Sequence, residues 1–310
     1  MFMDTIVTKF MDFVKNKVRA GKLGLFFMKQ EMIYKEKGTM LKHIVFITQK
    51  KVPNIEILKE ECKQKEIALH FYLPQEDTLI EETLYVTDKE EICNGLIEEG
   101  AAVLAWLHEE NREENLSSSP YAVEDIEEVD LFYIQRIYQR FQNLPWEIVQ
   151  TDRCIIREMT EEDLDAVYQV YAAPSITRYM EGLYEDREKE LEYTRSYIKH
   201  AYTFWGYGTW VIERKTDHKI IGRVGFNMRD GYDEVELGFV IMEEEQKKGY
   251  AFECCEAVMK IGKEDYLFEA VQALVKEENV DSIKLCQKLG FQFVEKVFTS
   301  GEEYLRFLYT

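Results

Sequence analysis

Paired metal-binding cysteines, long apolar runs and an excess of positive charge are all missing from this chain. None of its six cysteines (Cys62, Cys93, Cys154, Cys254, Cys255 and Cys286) forms a C-x-x-C pair, and no histidine cluster accompanies them. Zinc is therefore not indicated. Most of these thiols fall in apolar stretches, where a free cysteine acts as a small hydrophobe, and this points to a reducing compartment and a cytoplasmic protein. No apolar run approaches the roughly 20 residues needed to span a bilayer. The first residues show no basic segment followed by an apolar core, so no signal peptide is expected. Lys and Arg number 39 against 59 Asp and Glu, a net charge of −20. Nucleic acid is not an expected partner of so acidic a chain.

What remains is the balance of a soluble globular protein, 46% apolar and 32% charged, long enough at 310 residues for two domains. The charge is uneven. Residues 1–51 hold 11 Lys/Arg and 4 Asp/Glu, a net of +7, which leaves −27 on the rest. Met3, Ile6, Val7, Phe10, Val14 and Val18 recur at helical spacing. Residues 2–20 are therefore expected to form an amphipathic helix, a second short helix covers 25–36, and residues 1–40 form an extension that packs on the body of the protein. A basic amphipathic helix also suits an anionic surface.

From residue 41 to 150 strand and helix signals alternate. β-Branched runs at 43–48, 68–73, 83–88, 101–108 and 121–125 are separated by helical patterns at 54–66 and 89–100, and a strongly periodic helix follows at 130–144. This order predicts a Rossmann-like α/β domain with a parallel sheet and helices on its faces. The segment from "LYVTD" to "YAVEDIEEVD" resembles the last quarter of haloacid-dehalogenase-like phosphatases. The Asp-x-Asp nucleophile motif of that family is missing, because "IVFITQK" has no aspartate, and Asp88 stands as a leftover acidic position. A domain without phosphatase activity or catalytic metal is expected.

The remainder, 151–310, contains the stretch "EEEQKKGYAFECCEAV" (243–258), in which two lysines and a glycine precede an apolar-periodic helix. The first N–H groups of a helix have no partner within it and carry about half a positive charge. A glycine there lets an anion approach the backbone closely. Lysines oppose the helix dipole at this end, so a solvated helix start explains them poorly and a bound pyrophosphate explains them well. Upstream, Thr160 and Asp163 sit at the spacing of a capping box.

From Arg153 onward the chain resembles the GNAT acetyltransferase superfamily, in particular its ribosomal-protein N-terminal acetyltransferases. "IIREMTEEDLDAVYQVYAAPSITRYM", "GTWVIERKTDHKIIGRVGFNM", "EVELGFVIMEEEQKKGYAFECCEAVMKIGKE" and "AVQALVKEENVDSIKLCQKLGFQFVEK" carry the resemblance, in family order. It implies a mixed α+β fold with a splayed central sheet, acetyl-CoA as cosubstrate with no metal, and an amine acceptor, either a small molecule or a peptide N-terminus. Gln246, Lys247, Lys248, Gly249, Tyr250 and Ala251 match the cofactor loop Gln/Arg-x-x-Gly-x-Gly/Ala. Phe239, Val240 and Ile241 would pair their backbone with the pantetheine, and an N–H near Val240 would polarise the thioester carbonyl. Asn279 and Ser282 match the Asn-x-x-Ser/Ala bordering the cofactor, and Asn279 equally suits a helix N-cap. Many relatives place an acidic tyrosine where this chain has Cys286.

Glu236 is the candidate base that takes a proton from the amine, with Glu234 and Asp233 as weaker alternatives; the alternative is an exposed strand carboxylate. Tyr179, Tyr184, Trp205, Tyr207 and Trp210 are candidate walls of the acceptor pocket, although aromatics at such positions equally build a core. Gly249→Glu is expected to block the cofactor without lowering stability, provided the glycine does not adopt positive φ. An acetyl-CoA-binding module without turnover is the rival reading, and association into a homo-oligomer is left open.

Overall fold

The computed structural model describes residues 41–71, 79–180, 182–299 and 301–310. The helices expected at 2–20 and 25–36 lie outside the described residues. The chain divides into two units, Met1–Leu144 and Pro145–Thr310.

The first unit runs β1 (His43–Ile47), α1 (Glu56–Gln64), β2 (Ala68–His70), β3 (Thr83–Thr87), α2 (Glu90–Glu98), β4 (Ala102–Trp106), β5 (Ala122–Val123) and α3 (Leu131–Phe141). Its sheet is parallel throughout, in the order β2-β1-β3-β4-β5. Successive strand residues point to opposite faces, and both faces are apolar. Ile44, Phe46, Leu84, Val86 and Leu104 pack with Leu58 of α1 and Ile134 of α3. Val45, Tyr85, Val103 and Ala105 pack with Cys93 and Leu96 of α2. The strand order reverses between β1 and β3, where doubly wound sheets open a crevice. Asp88 lies just past β3 at that point, with 1% of its surface exposed. It accepts hydrogen bonds from the backbone N–H groups of Gln49 at 2.8 Å and Lys50 at 2.9 Å. His108 Nδ1 accepts from Glu110 N, so the ring proton is on Nε2 and is donated to Asp88 at 3.2 Å. The carboxylate thus fastens two loops together.

The second unit is built on an eight-stranded sheet in the order β12-β13-β11-β10-β9-β8-β7-β6. Its strands are β6 (Glu147–Gln150), β7 (Cys154–Arg157), β8 (Thr209–Arg214), β9 (Ile220–Met228), β10 (Val235–Ile241), β11 (Val271–Val275), β12 (Gln292–Thr299) and β13 (Glu302–Tyr309). All pairings are antiparallel except β10 with β11. Four helices, α4 (Leu164–Tyr171), α5 (Pro174–Thr177), α6 (Arg187–Tyr197) and a π-helical turn (Ile198–Trp205), lie between β7 and β8. α7 (Tyr250–Glu264) follows β10, and α8 (Val280–Lys288) follows β11. The capping box forms: Asp163 accepts from Thr160 N at 2.8 Å and is gripped by both terminal nitrogens of Arg157.

Strand alternation divides the side chains of β9 and β10 between two faces. Val224, Phe226, Leu237 and Phe239 lie on the face covered by α7, where Gly262 makes room for the Phe226 ring; a Cβ there would come within 2.6 Å of it. Arg223, Asn227 and Glu236 lie on the other face, with Gly225 and Gly238 between them, beneath α4 and α6.

Candidate active site

β10 pairs with β11 only at Val235↔Val271 and Glu236↔Gln272, whereas its pairing with β9 continues to Ile241↔Gly222. The sheet therefore forks after Glu236. Gln272, fully buried, holds the fork: its Nε2 donates to Glu234 O at 3.3 Å and its Oε1 accepts from Arg306 at 3.0 Å. Met242 N donates to Ile221 O at 2.8 Å, and Phe226 N turns the other way, to Gly208 O at 3.1 Å. By alternation, the Val240 N–H points at β9, and Phe239 and Ile241 present their backbone to the gap. The Val240 N–H itself therefore lies in the β9–β10 ladder, and the gap-facing amides near Val240 are those of Phe239 and Ile241. Of the gap-facing carbonyls, Ile241 O accepts from Gln246 Nε2 at 3.0 Å, so the Gln246 side chain braces the turn.

The gap leads to the N-terminus of α7. Gly249 occupies its N-cap at φ 88° and no side chain caps the helix. Lys247 is also left-handed, at φ 60°. Alternating handedness of this kind curls successive N–H groups into a concavity that suits an anion, and the uncapped helix start adds its own. Positive φ at Gly249 also removes the proviso under which Gly249→Glu would be harmless to the fold. The two lysines differ. Lys248 Nζ is spent on Glu245 at 2.8 Å, and Arg214 grips the same carboxylate at 2.9 Å. Lys248 and Arg214 together hold the Glu245 carboxyl below its usual range. Lys247 is exposed and makes no ion pair among the described residues.

Arg153, absent from the sequence-based candidates, ties this turn to β7. Its Nε donates to Glu253 at 2.6 Å and its Nη1 to Lys248 O at 2.9 Å, and its guanidinium stacks 4.2 Å from the Tyr250 ring centre. Its Nη2 lies 3.3 Å from where a Cβ on residue 249 would stand.

Glu236 sits at the fork. Its side chain is 15% exposed, and Arg229 engages both carboxylate oxygens. Burial pushes its carboxyl above the usual range, and the Arg229 guanidinium opposes that shift. A largely buried, paired carboxylate replaces the exposed one of the plainer reading. Its cross-strand partner Asn227 accepts from Tyr197 OH at 3.3 Å and from Thr209 Oγ1 at 3.0 Å.

The aromatic candidates do not converge. Trp210 is fully buried, edge-on to Phe226 and stacked near Tyr266; it is core, because its strand position faces α7. Trp205 lies beside Tyr207, whose ring meets Tyr266 and Phe268. Tyr184, 53% exposed, lies against Tyr193 of α6. Tyr179 reaches the loop before α8, its hydroxyl donating to Glu278 O at 3.4 Å. Next to it, Asn279 caps α8 by accepting from Ser282 N at 3.2 Å. Cys286 is completely buried and burial pushes its thiol up to about 12, so it cannot protonate a thiolate outside the core.

Residues 153–292 match the model of the acetyltransferase (GNAT) domain. The second unit belongs to the GNAT acetyltransferases. Acyl transfer from acetyl-CoA is the reaction of that family. The chain is 28% identical over 151 residues to the uncharacterized N-acetyltransferase YoaA of Bacillus subtilis (strain 168), covering 47% of this chain and 82% of YoaA. It is 27% identical over 160 residues to YnaD of the same organism, also named an uncharacterized N-acetyltransferase, covering 50% of this chain and 91% of YnaD. An uncharacterized N-acetyltransferase of Bacillus licheniformis is 28% identical over 148 residues, covering 47% of this chain and 83% of that protein.

Proposed function

We propose that the GNAT unit transfers an acetyl group from acetyl-CoA to a primary amine through a ternary complex. The observation that carries this reading is the fork: pairing of β10 with β11 ends at Glu236, and the freed edge of Phe239 and Ile241 runs to the uncapped N-terminus of α7. An extended amide chain laid in the gap would complete the ladder, and a pyrophosphate would take the N–H groups of the turn, with Lys247 beside it. Bound there, acetyl-CoA supplies the activated acyl group. Glu236 accepts the proton of the attacking amine; its raised affinity for protons suits a base. The C–N bond forms as the C–S bond breaks, and the thiolate leaves without a protein acid, since Cys286 is sealed in the core.

The Arg229 clamp on Glu236 favours a second reading, an acetyl-CoA-binding module with little turnover. Thiol release on mixing the protein, acetyl-CoA and a panel of amines and peptide N-termini separates the two. Turnover with at least one acceptor supports the enzyme. Binding of acetyl-CoA with no thiol release above the hydrolysis blank supports the module. No binding overturns both.

A further inference from the structure

Asn227 stands opposite Glu236 across the β9–β10 ladder, on the same face of the sheet, and the fold uses only its side-chain oxygen. Oδ1 accepts from Tyr197 OH at 3.3 Å and from Thr209 Oγ1 at 3.0 Å. Tyr197 is itself held, because its hydroxyl accepts from Thr209 N at 2.7 Å. An amide oxygen that takes two donors fixes which way the amide faces. The nitrogen therefore points away from α6 and β8, towards β10. There it lies 3.3 Å from where a Cβ on Gly238 would stand. Chain neighbours aside, no other atom of the described residues comes within 4 Å of that point. Gly225, on the same face, is different: the Gly208–Thr209 backbone closes over it. Asn227 Nδ2 makes no hydrogen bond among the described residues, and it is not sealed from water.

An amide NH₂ beside a carboxylate would ordinarily bond to it, since cross-strand neighbours of this kind interact. Here Arg229 engages both oxygens of Glu236, and Asn227 keeps its donor for something else. The hollow over Gly238 thus has a proton acceptor on one side, Glu236, and a donor on the other, Asn227. The amides freed by the fork, at Phe239 and Ile241, point along the plane of the sheet into the gap. Asn227 stands above that plane. A donor in that position meets what approaches the face of the sheet, which is the acceptor and not the thioester.

We propose that Asn227 positions the acceptor and that the acceptor carries an oxygen two carbons from its amine, an N–C–C–O unit such as amino ethers, amino alcohols and amino-acid amides contain. The amine faces Glu236, and the oxygen accepts from Asn227 Nδ2 over Gly238. Two contacts on one small unit orient the attacking nitrogen. This rests on the acetyltransferase reading above.

The test uses primary amines in pairs, each an oxygen-bearing amine and an apolar one of the same shape: 2-methoxyethylamine with butylamine, and glycinamide with 2-methylallylamine. Within a pair, kcat/KM of the oxygen-bearing member is divided by that of the apolar member. Comparing this ratio between protein variants cancels the difference in basicity of the two amines. Asn227→Asp keeps an oxygen for Tyr197 and Thr209 and removes the donor, so the ratio should fall at least about threefold. Tyr197→Phe frees the amide to turn and should lower the ratio less. Gly238→Ala places a methyl where the acceptor lies and should raise the KM of every amine by at least about tenfold, with the KM of acetyl-CoA unchanged. An unchanged ratio in Asn227→Asp overturns the proposal, as does an unchanged amine KM in Gly238→Ala. If Asn227→Asp does not fold, an unchanged ratio in Tyr197→Phe overturns it instead. If no amine is acetylated, N-acetylglycinamide and N-(2-methylallyl)acetamide are titrated into the protein with coenzyme A present. A ratio of affinities that is the same in the wild type and Asn227→Asp then overturns the proposal. If acetyl-CoA itself gives no thermal shift, the acetyltransferase reading falls, and this proposal with it.

Discussion

Arg229 engages both carboxylate oxygens of Glu236 from the far end of the turn that joins β9 to β10. Burial and this guanidinium pull the carboxyl in opposite directions, and burial wins. Removing the cation should therefore raise the proton affinity further. The active form is the carboxylate, so the acid limb of the kcat/KM profile should move to higher pH in Arg229→Gln. An unmoved limb would mean that Glu236 is not the titrating base.

The same shift makes a stability prediction. A carboxyl whose affinity for protons is higher folded than unfolded contributes stability below its unfolded pKa, and this is lost as pH rises through the folded value. At neutral pH the ionised Glu236 is then a cost. Glu236→Gln should lower turnover by roughly 10²–10⁴-fold while melting no lower than the wild type at pH 7. A large drop in melting temperature would assign Glu236 to the fold.

Gly249→Ala should destabilise the protein. Left-handed backbone costs a residue with a Cβ roughly 1–2 kcal/mol, and the new methyl would press on Arg153. This outweighs the roughly 1 kcal/mol of helix propensity that alanine recovers inside a helix, since residue 249 is the cap. Thermal melting without ligand reads the effect, and a variant as stable as the wild type would contradict the assigned turn.

Arg153→Ala separates positioning from packing. About 42% of the Arg153 side chain is exposed, so loss of its ion pair should cost no more than about 1 kcal/mol. The turn it braces should loosen, raising the KM for acetyl-CoA with kcat little changed. Steady-state kinetics in acetyl-CoA check this; a fall in kcat at constant KM would contradict it.

Local signals were legible in the sequence and distant ones were not. The strands at 43–47, 83–87 and 102–106 stood out because parallel strands buried on both faces read as apolar runs. The turn at 246–251 was legible because Gly, Lys and a helical period fall within a few residues. β13 was missed although "YLRFLY" is strand-like; it enters the sheet between β11 and β12, an order that no local pattern encodes. β6 is not predicted, because its four residues are too few to show a period. Arg153 and Glu253 are 100 residues apart, and Lys248 looked free because only the fold turns Glu245 onto it. Trp210 looked like a pocket wall because its strand gave no hint of which face α7 would cover.

In the first unit, Asp88→Ala should lower stability by about 2–4 kcal/mol, since two backbone N–H groups and His108 lose a buried acceptor. Chemical denaturation of the whole protein, read by hydrogen exchange in β1 and β3, would show it. Unchanged protection in those strands would mean that water replaces the carboxylate without loss.

Residue-resolved amide hydrogen exchange with and without acetyl-CoA tests the central claim most directly. In the free protein Val240 should already be protected, since its N–H lies in the β9 ladder, while Phe239 and Ile241 exchange readily. Saturating acetyl-CoA should slow exchange at Phe239, Ile241 and the first turn of α7 and leave Val240 little changed. Tight binding of acetyl-CoA with exchange at Phe239 and Ile241 unaltered would place the cofactor elsewhere and contradict the account.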